Sequence, residues 1–203
     1  CAMTPELAMN EDLFLIVGLG NPGPRFARNR HNIGFQVLDM LAQRHRLAFQ
    51  RAEFRAVVAT GLIAEKRVLL AKPQTFMNLA GQAVAPLARF YKIPIPQILV
   101  LYDELDLPLG RLRFRPDGGS GGHNGMKSLV DNLGTQSFAR LRIGIDRPPG
   151  RMDPAAYVLQ DFNAEQEIEM AFCRPRAADG VEIVAGALAV AALAPAPGEH
   201  VIE

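Results

Sequence analysis

The sequence predicts a single three-layer α/β/α domain built on a central mixed, mainly parallel sheet. Three observations carry that expectation. Strand-like and helix-like hydrophobic patterns alternate along most of the chain. Two short, continuously apolar runs, Leu13 to Val17 and Ile98 to Leu101, read as buried strands. Finally, 203 residues of 49% hydrophobic composition are enough to bury one sizeable core without disulfide or metal staples. The expected domain spans residues 13–194, with 152–194 a helical part covering the site and with 1–12 and 195–203 as flexible termini.

The first strand, Leu13 to Val17, ends in glycine and feeds a loop from Gly18 to Arg30. From about His31 to Arg46, apolar Ile33, Phe35, Val37, Leu38, Leu41 and Ala42 recur near helical spacing. Arg44, His45 and Arg46 fall in the last turn, where the helix dipole favours cations. Phe54 to Thr60 and Arg67 to Ala71 read as paired strands separated by Gly61 and charged residues, and Pro73 ends the second. A helix over Leu79 to Tyr91, interrupted by Pro86, leads to the strand Ile98 to Leu101, whose end delivers Tyr102, Asp103 and Glu104. Arg111 to Arg115 and Leu141 to Ile145 alternate as half-exposed strands, with a glycine-rich loop and a short helix from about Met126 to Leu133 between them. Helical patches around Ala164 to Phe172 and Val181 to Leu193 complete the domain, before a Pro/Gly-containing tail.

Composition removes several classes of protein. Two cysteines, Cys1 and Cys173, support neither a disulfide framework nor a cysteine-rich metal site, which fits a reducing cytoplasm. The longest apolar run, Ile183 to Ala194, is too short to span a bilayer, and the acidic start around Glu6, Glu11 and Asp12 lacks the basic opening of a signal peptide. The expected natural start is nearer Met3 or Met9 than Cys1. Lys+Arg minus Asp+Glu gives 12−9 for residues 1–110, 8−3 for 111–151 and 2−9 for 152–203. A basic middle beside an acidic end points to a local anionic partner such as a phosphate backbone, or to ordinary scatter of surface charge.

Four motifs could carry chemistry. GLGNPG, Gly18 to Gly23, has the G-x-G-x-x-G spacing of a dinucleotide loop, but Pro22, Pro24 and the polar stretch to Arg30 delay the helix whose N-terminus should meet a pyrophosphate. The alternative is a tight turn that projects Asn21 and, soon after, His31. GGSGG, Gly118 to Gly122, fits G-x-S-x-G around Ser120. No buried strand precedes it and His200 is a poor triad partner, so a glycine loop open to a ligand, presenting His123 and Asn124, reads better.

YDELD, Tyr102 to Asp106, follows a buried strand, where a carboxylate can hold an imidazole in the tautomer that leaves one nitrogen free to accept a proton. A solvated acidic turn competes with that reading. Metal ligation by these acids with His31 and His123 is a third, without a close histidine pair in the sequence to support it. TFMNLAG, Thr75 to Gly81, places Asn78 as an amide donor for a carbonyl oxygen or as a helix N-cap.

Taken together, GLGNPG, RHNIGF, TFMNLAG, DELDLPLG, GGSGGHNGMKS and FARLRIGI resemble, in order, the bacterial peptidyl-tRNA hydrolase family, over about residues 13 to 159. The resemblance implies an enzyme that cleaves the ester between a peptide and tRNA, with no metal or organic cofactor, acting as a cytoplasmic monomer away from membranes. It implies His31 as the base that activates water and Asp103 as the group that orients and polarises it. Asn21, Asn78 and Asn124 are implied to hold the peptide and position the water and carbonyl, and Met77 to form the apolar wall. Gly121 and Val158 fall where the family meets the acceptor strand.

Arg113 and Arg142 fall where the family clamps the tRNA 5′ phosphate. Period-two spacing adds Arg115 beside Arg113 and Arg140 beside Arg142, and Lys127 is counted with these cations. A solvated sheet edge competes with the phosphate reading. Two departures stand out: Phe26 replaces the family's usual Tyr near the acceptor end, and Asn29 its usual Thr before Arg30. Other classes left open are a nucleotide-dependent oxidoreductase, a serine esterase and a tRNA-end binding protein without catalysis.

Overall fold

A computed structural model of the protein describes residues 12–192. The expected flexible termini fall almost wholly outside these residues, as do Cys1 and His200. Seven strands form one sheet in the order β2-β3-β4-β1-β5-β7-β6. They are β1 (Leu13–Gly18), β2 (Arg51–Glu53), β3 (Ala56–Ile63), β4 (Lys66–Pro73), β5 (Ile98–Glu104), β6 (Leu112–Arg115) and β7 (Ala139–Gly144). β1 pairs in parallel with both β4 and β5, and β5 with β7, so the sheet is parallel at its centre. The β2–β3, β3–β4 and β6–β7 pairs are antiparallel.

The period-two alternation of β1 divides the interior in two. Phe14 and Ile16 face α1 (Ile33–Arg44) and α5 (Ala164–Ala192), joining Val37, Leu41, Cys173 and Val181. Leu13, Leu15 and Val17 face α2 (Gly81–Phe90) and α3 (Asn124–Leu133), joining Val84, Leu87, Met126 and Leu129. Helices therefore cover both faces of the buried parallel strands, as such sheets require. The short α4 (Pro154–Val158) follows β7. Among the described residues no helix is long and apolar enough to cross a membrane.

The structure corrects several boundaries. Gly61 does not separate two strands; it lies within β3, where an added Cβ would come within 2.1 Å of Leu47 Cδ2. The turns on either side instead use Phe54–Arg55 and Ala64–Glu65, all four at positive φ and none of them a usual turn residue, which is why the sequence hid both β2 and the hairpin ends. Pro86 does not interrupt α2. It forgoes one bond, to the carbonyl of exposed Gln82, and water can supply that partner. Likewise α5 runs unbroken through Pro175, merging the two expected patches. α1 starts at Ile33, after a 3₁₀ turn over Arg30–Asn32. α3 starts at Asn124, capped by His123.

Candidate active site

The carboxyl ends of β1 and β5 open into a cleft of about 1020 Å³, lined among others by Asn21, His31, Met77, Asn78, Asp103, His123 and Asn124. Close approach of β1 to α1 makes the cleft possible. A Cβ on Gly18 would sit 2.4 Å from the Gly34 carbonyl oxygen, and one on Gly34 would sit 2.5 Å from Leu101 O. The first glycine of GLGNPG thus serves strand–helix packing, and the chain then turns to bring Asn21 beside the 3₁₀ turn that carries His31. Asn32 fixes that turn: its Oδ1 accepts from the Asn21 N–H at 3.0 Å and its Nδ2 donates to Asn21 O at 2.9 Å.

At the cleft floor two histidines share one carboxylate. His31 Nδ1 lies 2.9 and 3.0 Å from the two oxygens of Asp103, and His123 Nε2 lies 3.0 Å from Asp103 Oδ1. The hydrogen-bond partners assign the protons. The backbone N–H groups of Gly125 and Met126 both donate to His123 Nδ1, which therefore carries no proton, so neutral His123 carries its proton on Nε2 and donates it to Asp103. His31 donates from Nδ1 and keeps Nε2 as an acceptor. Burial opposes ionisation of Asp103, but the charge that His31 takes on when protonated and the hydrogen bonds from both histidines outweigh it and hold the carboxyl well below the usual carboxylate range. Burial likewise opposes protonation of His31, and the Asp103 charge and hydrogen bond reverse the effect, raising its pKa above 6.5.

The fold thus makes the histidine pair that the sequence lacked, and a metal at this pair is the competing arrangement. His31, Asp103 and His123 place one donor atom each within 4.8 Å of one another. His123 Nδ1 is occupied by two backbone N–H groups, so binding a metal through Nε2 would require a doubly deprotonated imidazolate. The donor set suits a shared hydrogen bond and not an ion.

Amide donors surround the array. Asn21 Oδ1 accepts from Met77 N at 2.8 Å, so the group this side chain has left to present is its NH₂ donor. Asn78 and Asn124 are exposed in the cleft, and Asn78 caps no helix, since Ala80 occupies the N-cap of α2. Buried Met77 forms one wall, Gly121 and Gly122 one rim, and Val158 and Leu159 at the end of α4 line the cleft as well. Gly121 and Gly122 both adopt positive φ, which explains the run of glycines before His123. Phe26 lies outside the cleft, under the Arg25 guanidinium at 4.3 Å. Ser120 also lies outside, and its carbonyl accepts from His123 N in a loop with no strand-to-helix elbow.

The basic strands divide into two kinds. Arg113 stands opposite Arg142, and Arg115 opposite Arg140, across the β6–β7 pair. Arg113 and Arg115 are exposed, as is Lys127 in the first turn of α3. Arg142, in contrast, is bound to Glu104, its Nε 2.6 Å from Oε2. Arg140 is 1% exposed and spends its guanidinium on the Gly119 and Gln136 carbonyls, so it is a strut under the glycine loop and not part of a charged face.

Sequence reading also missed residues. Phe76, Asp106 and Arg147 line the cleft, the last two joined by an ion pair with Arg147 Nε 2.7 Å from Asp106 Oδ1. Asp106 belongs to the YDELD motif; Arg147 is signalled only by the Pro/Gly loop that follows it.

A family model described as peptidyl-tRNA hydrolase matches residues 15–194. The chain is 54% identical over 173 residues to a peptidyl-tRNA hydrolase of Chloroflexus aggregans, covering 85% of this chain and 92% of that one. It is 50% identical over 171 residues to that of Mycolicibacterium smegmatis, covering 84% and 90%. Among solved structures, peptidyl-tRNA hydrolase from Acinetobacter baumannii superposes with a TM-score of 0.83 at 34% identity, covering 92% of this chain and 94% of that one.

Proposed function

The chain belongs to the peptidyl-tRNA hydrolase family, and we propose from this premise that it cleaves the ester between a peptide and the 3′ end of tRNA with water activated by His31, freeing tRNA from stalled translation. The observation that carries the mechanism is the Nδ1–H bond from His31 to Asp103, which leaves Nε2 free at the cleft floor.

A water molecule on Nε2 gives up its proton as its oxygen attacks the ester carbonyl carbon, and Asp103 stabilises the imidazolium that forms. Charge develops on the carbonyl oxygen, where the amide donors of Asn21, Asn78 and Asn124 are available. Each such donor is worth roughly 3 kcal/mol of barrier. Collapse of the tetrahedral intermediate breaks the bond to the ribose oxygen, which takes the proton back from His31. No covalent enzyme intermediate forms, and every group named comes from one chain, which supports action as a monomer. Met77, Val158 and Leu159 offer apolar surface to the peptide portion. Arg113, Arg115 and Lys127 offer cations to the phosphates; Arg142, held by Glu104, adds less than its charge alone suggests.

Release of an N-blocked amino acid from tRNA, with free aminoacyl-tRNA as the control, tests the activity. Cleavage of the blocked substrate is the expected result, and no release by pure protein would overturn it.

A further inference from the structure

His31 is held at the floor by Asp103, but its backbone turn is held by something else. Asn32 ties one side of the turn to Asn21. The other side is tied to the end of α4 and the start of α5. Arg30 N–H donates to Gln160 O at 3.0 Å. The Arg30 guanidinium donates to Gln160 O at 3.1 Å, to Tyr157 O at 3.4 Å and to Gln166 Oε1 at 2.6 Å. It also stacks 4.1 Å over the Tyr157 ring. Arg30 is 4% exposed, and Tyr157 is itself anchored, its hydroxyl donating to Ile145 O at 2.8 Å. Asn29 adds a backbone bridge to Asp161 and a 2.7 Å bond from its Nδ2 to Asp161 Oδ1.

Resting on the hydrolase reading, we propose that Arg30 and the Asn29–Asp161 pair are positioning residues for catalysis, a strap that fixes the turn carrying His31 against the α4 wall of the cleft. Three features support this. Arg30 is adjacent to the base, and its partners' neighbours, Val158 and Leu159, line the cleft. The carbonyls it reads lie at and just beyond the end of α4, where a cation is favoured. A guanidinium reaches several acceptors at once in a fixed plane, which lysine cannot. The Asn29–Asp161 bond also gives a use to one of the two departures from the family pattern. Asparagine presents an amide donor where threonine would offer only a shorter hydroxyl. None of these residues needs to touch substrate: the strap acts by keeping Nε2 at the distance from which a water is aimed, a placement to which rates are steeply sensitive.

The test uses Asp161→Ala, Asn29→Thr and Arg30→Lys, with the swap Asn29→Asp/Asp161→Asn restoring the bond in reverse. Melting temperature is measured first, and kcat and KM for N-blocked aminoacyl-tRNA are then measured well below it. The expected result is a fall in kcat of about fivefold for Asp161→Ala and for Asn29→Thr, the equivalent of one ordinary hydrogen bond. Arg30→Lys should lose more. KM and the acid limb of the pH profile should stay parental, because the His31–Asp103 bond is untouched, and the swap should recover kcat. Folded variants with parental kcat, or losses confined to KM, would overturn the inference while leaving the hydrolase reading intact. A parent enzyme with no ester cleavage would overturn both.

Discussion

Asp103 Oδ1 lies 3.0 Å from His123 Nε2, and the same oxygen lies 2.9 Å from His31 Nδ1. One carboxylate oxygen therefore accepts from two imidazoles whose second nitrogens face different tasks. That of His123 caps α3, and that of His31 remains available to a water molecule.

Asp103→Asn removes both effects that raise the His31 pKa and leaves the burial that lowers it. The acid limb of kcat/KM, set by protonation of His31, should move to lower pH than in the parent. Turnover should fall by at least about a hundredfold as the tautomer is lost. The pair also links stability to pH. Asp103, depressed on folding, contributes stability above its ordinary 3.8, lost as pH falls through its folded value. His31, raised on folding, contributes below 6.5, lost as pH rises through its folded value. Titration of stability against pH should show both losses in the parent and neither in Asp103→Asn.

His123 joins two roles that a single substitution can separate. His123→Asn keeps a good N-cap for α3 but cannot donate to Asp103 in the same way. Thermal stability should remain near parental while turnover falls about tenfold. His123→Ala should also lose the cap, worth about 1 kcal/mol. Parental turnover in the Asn variant would show that His123 is only a cap.

Arg113→Ala with Arg115→Ala should raise KM for full-length substrate and change cleavage of a minimal ester without a tRNA body very little. The log–log salt dependence of affinity should flatten by roughly 0.7 to 0.9 for each phosphate that is no longer neutralised. Arg142→Ala is a poorer probe, because it strands Glu104, 6% exposed, and should cost about 3 kcal/mol of stability as well. An unchanged KM and salt slope in the Arg113/Arg115 variant would leave these arginines as a solvated sheet edge.

Exhaustive chelation should leave activity intact, since His123 has no second lone pair for an ion. Loss of activity on chelation, restored by one divalent metal, would contradict the proton assignment at the cleft floor.

Much of this was legible in the chain. The apolar runs of β1 and β5 announced buried parallel strands, because burial on both faces leaves no polar positions to confuse the pattern. Asn21, His31, Asn78, Asp103, His123 and Asn124 follow turns and strand ends that motifs mark, and the structure brings all six to one cleft. Other features depended on tertiary partners that no local pattern encodes. Arg140 and Arg142 looked like members of a cationic face, yet one is buried against carbonyls and the other is bound to Glu104. β2 was hidden because its turn places Phe54 and Arg55 at positive φ, where sequence statistics expect Asn or Gly. The strap at Arg30 joins positions more than 120 residues apart, so only the folded chain reveals it.

The most direct measurement is single-turnover cleavage of N-blocked aminoacyl-tRNA by His31→Ala beside the parent, with binding of the same tRNA measured in parallel. The expected result is a rate at least about a hundredfold lower with tRNA affinity near parental, because the base acts in the chemical step and not in holding the phosphates. Cleavage at the parental rate in the folded variant would contradict water activation by His31 and transfer attention to His123.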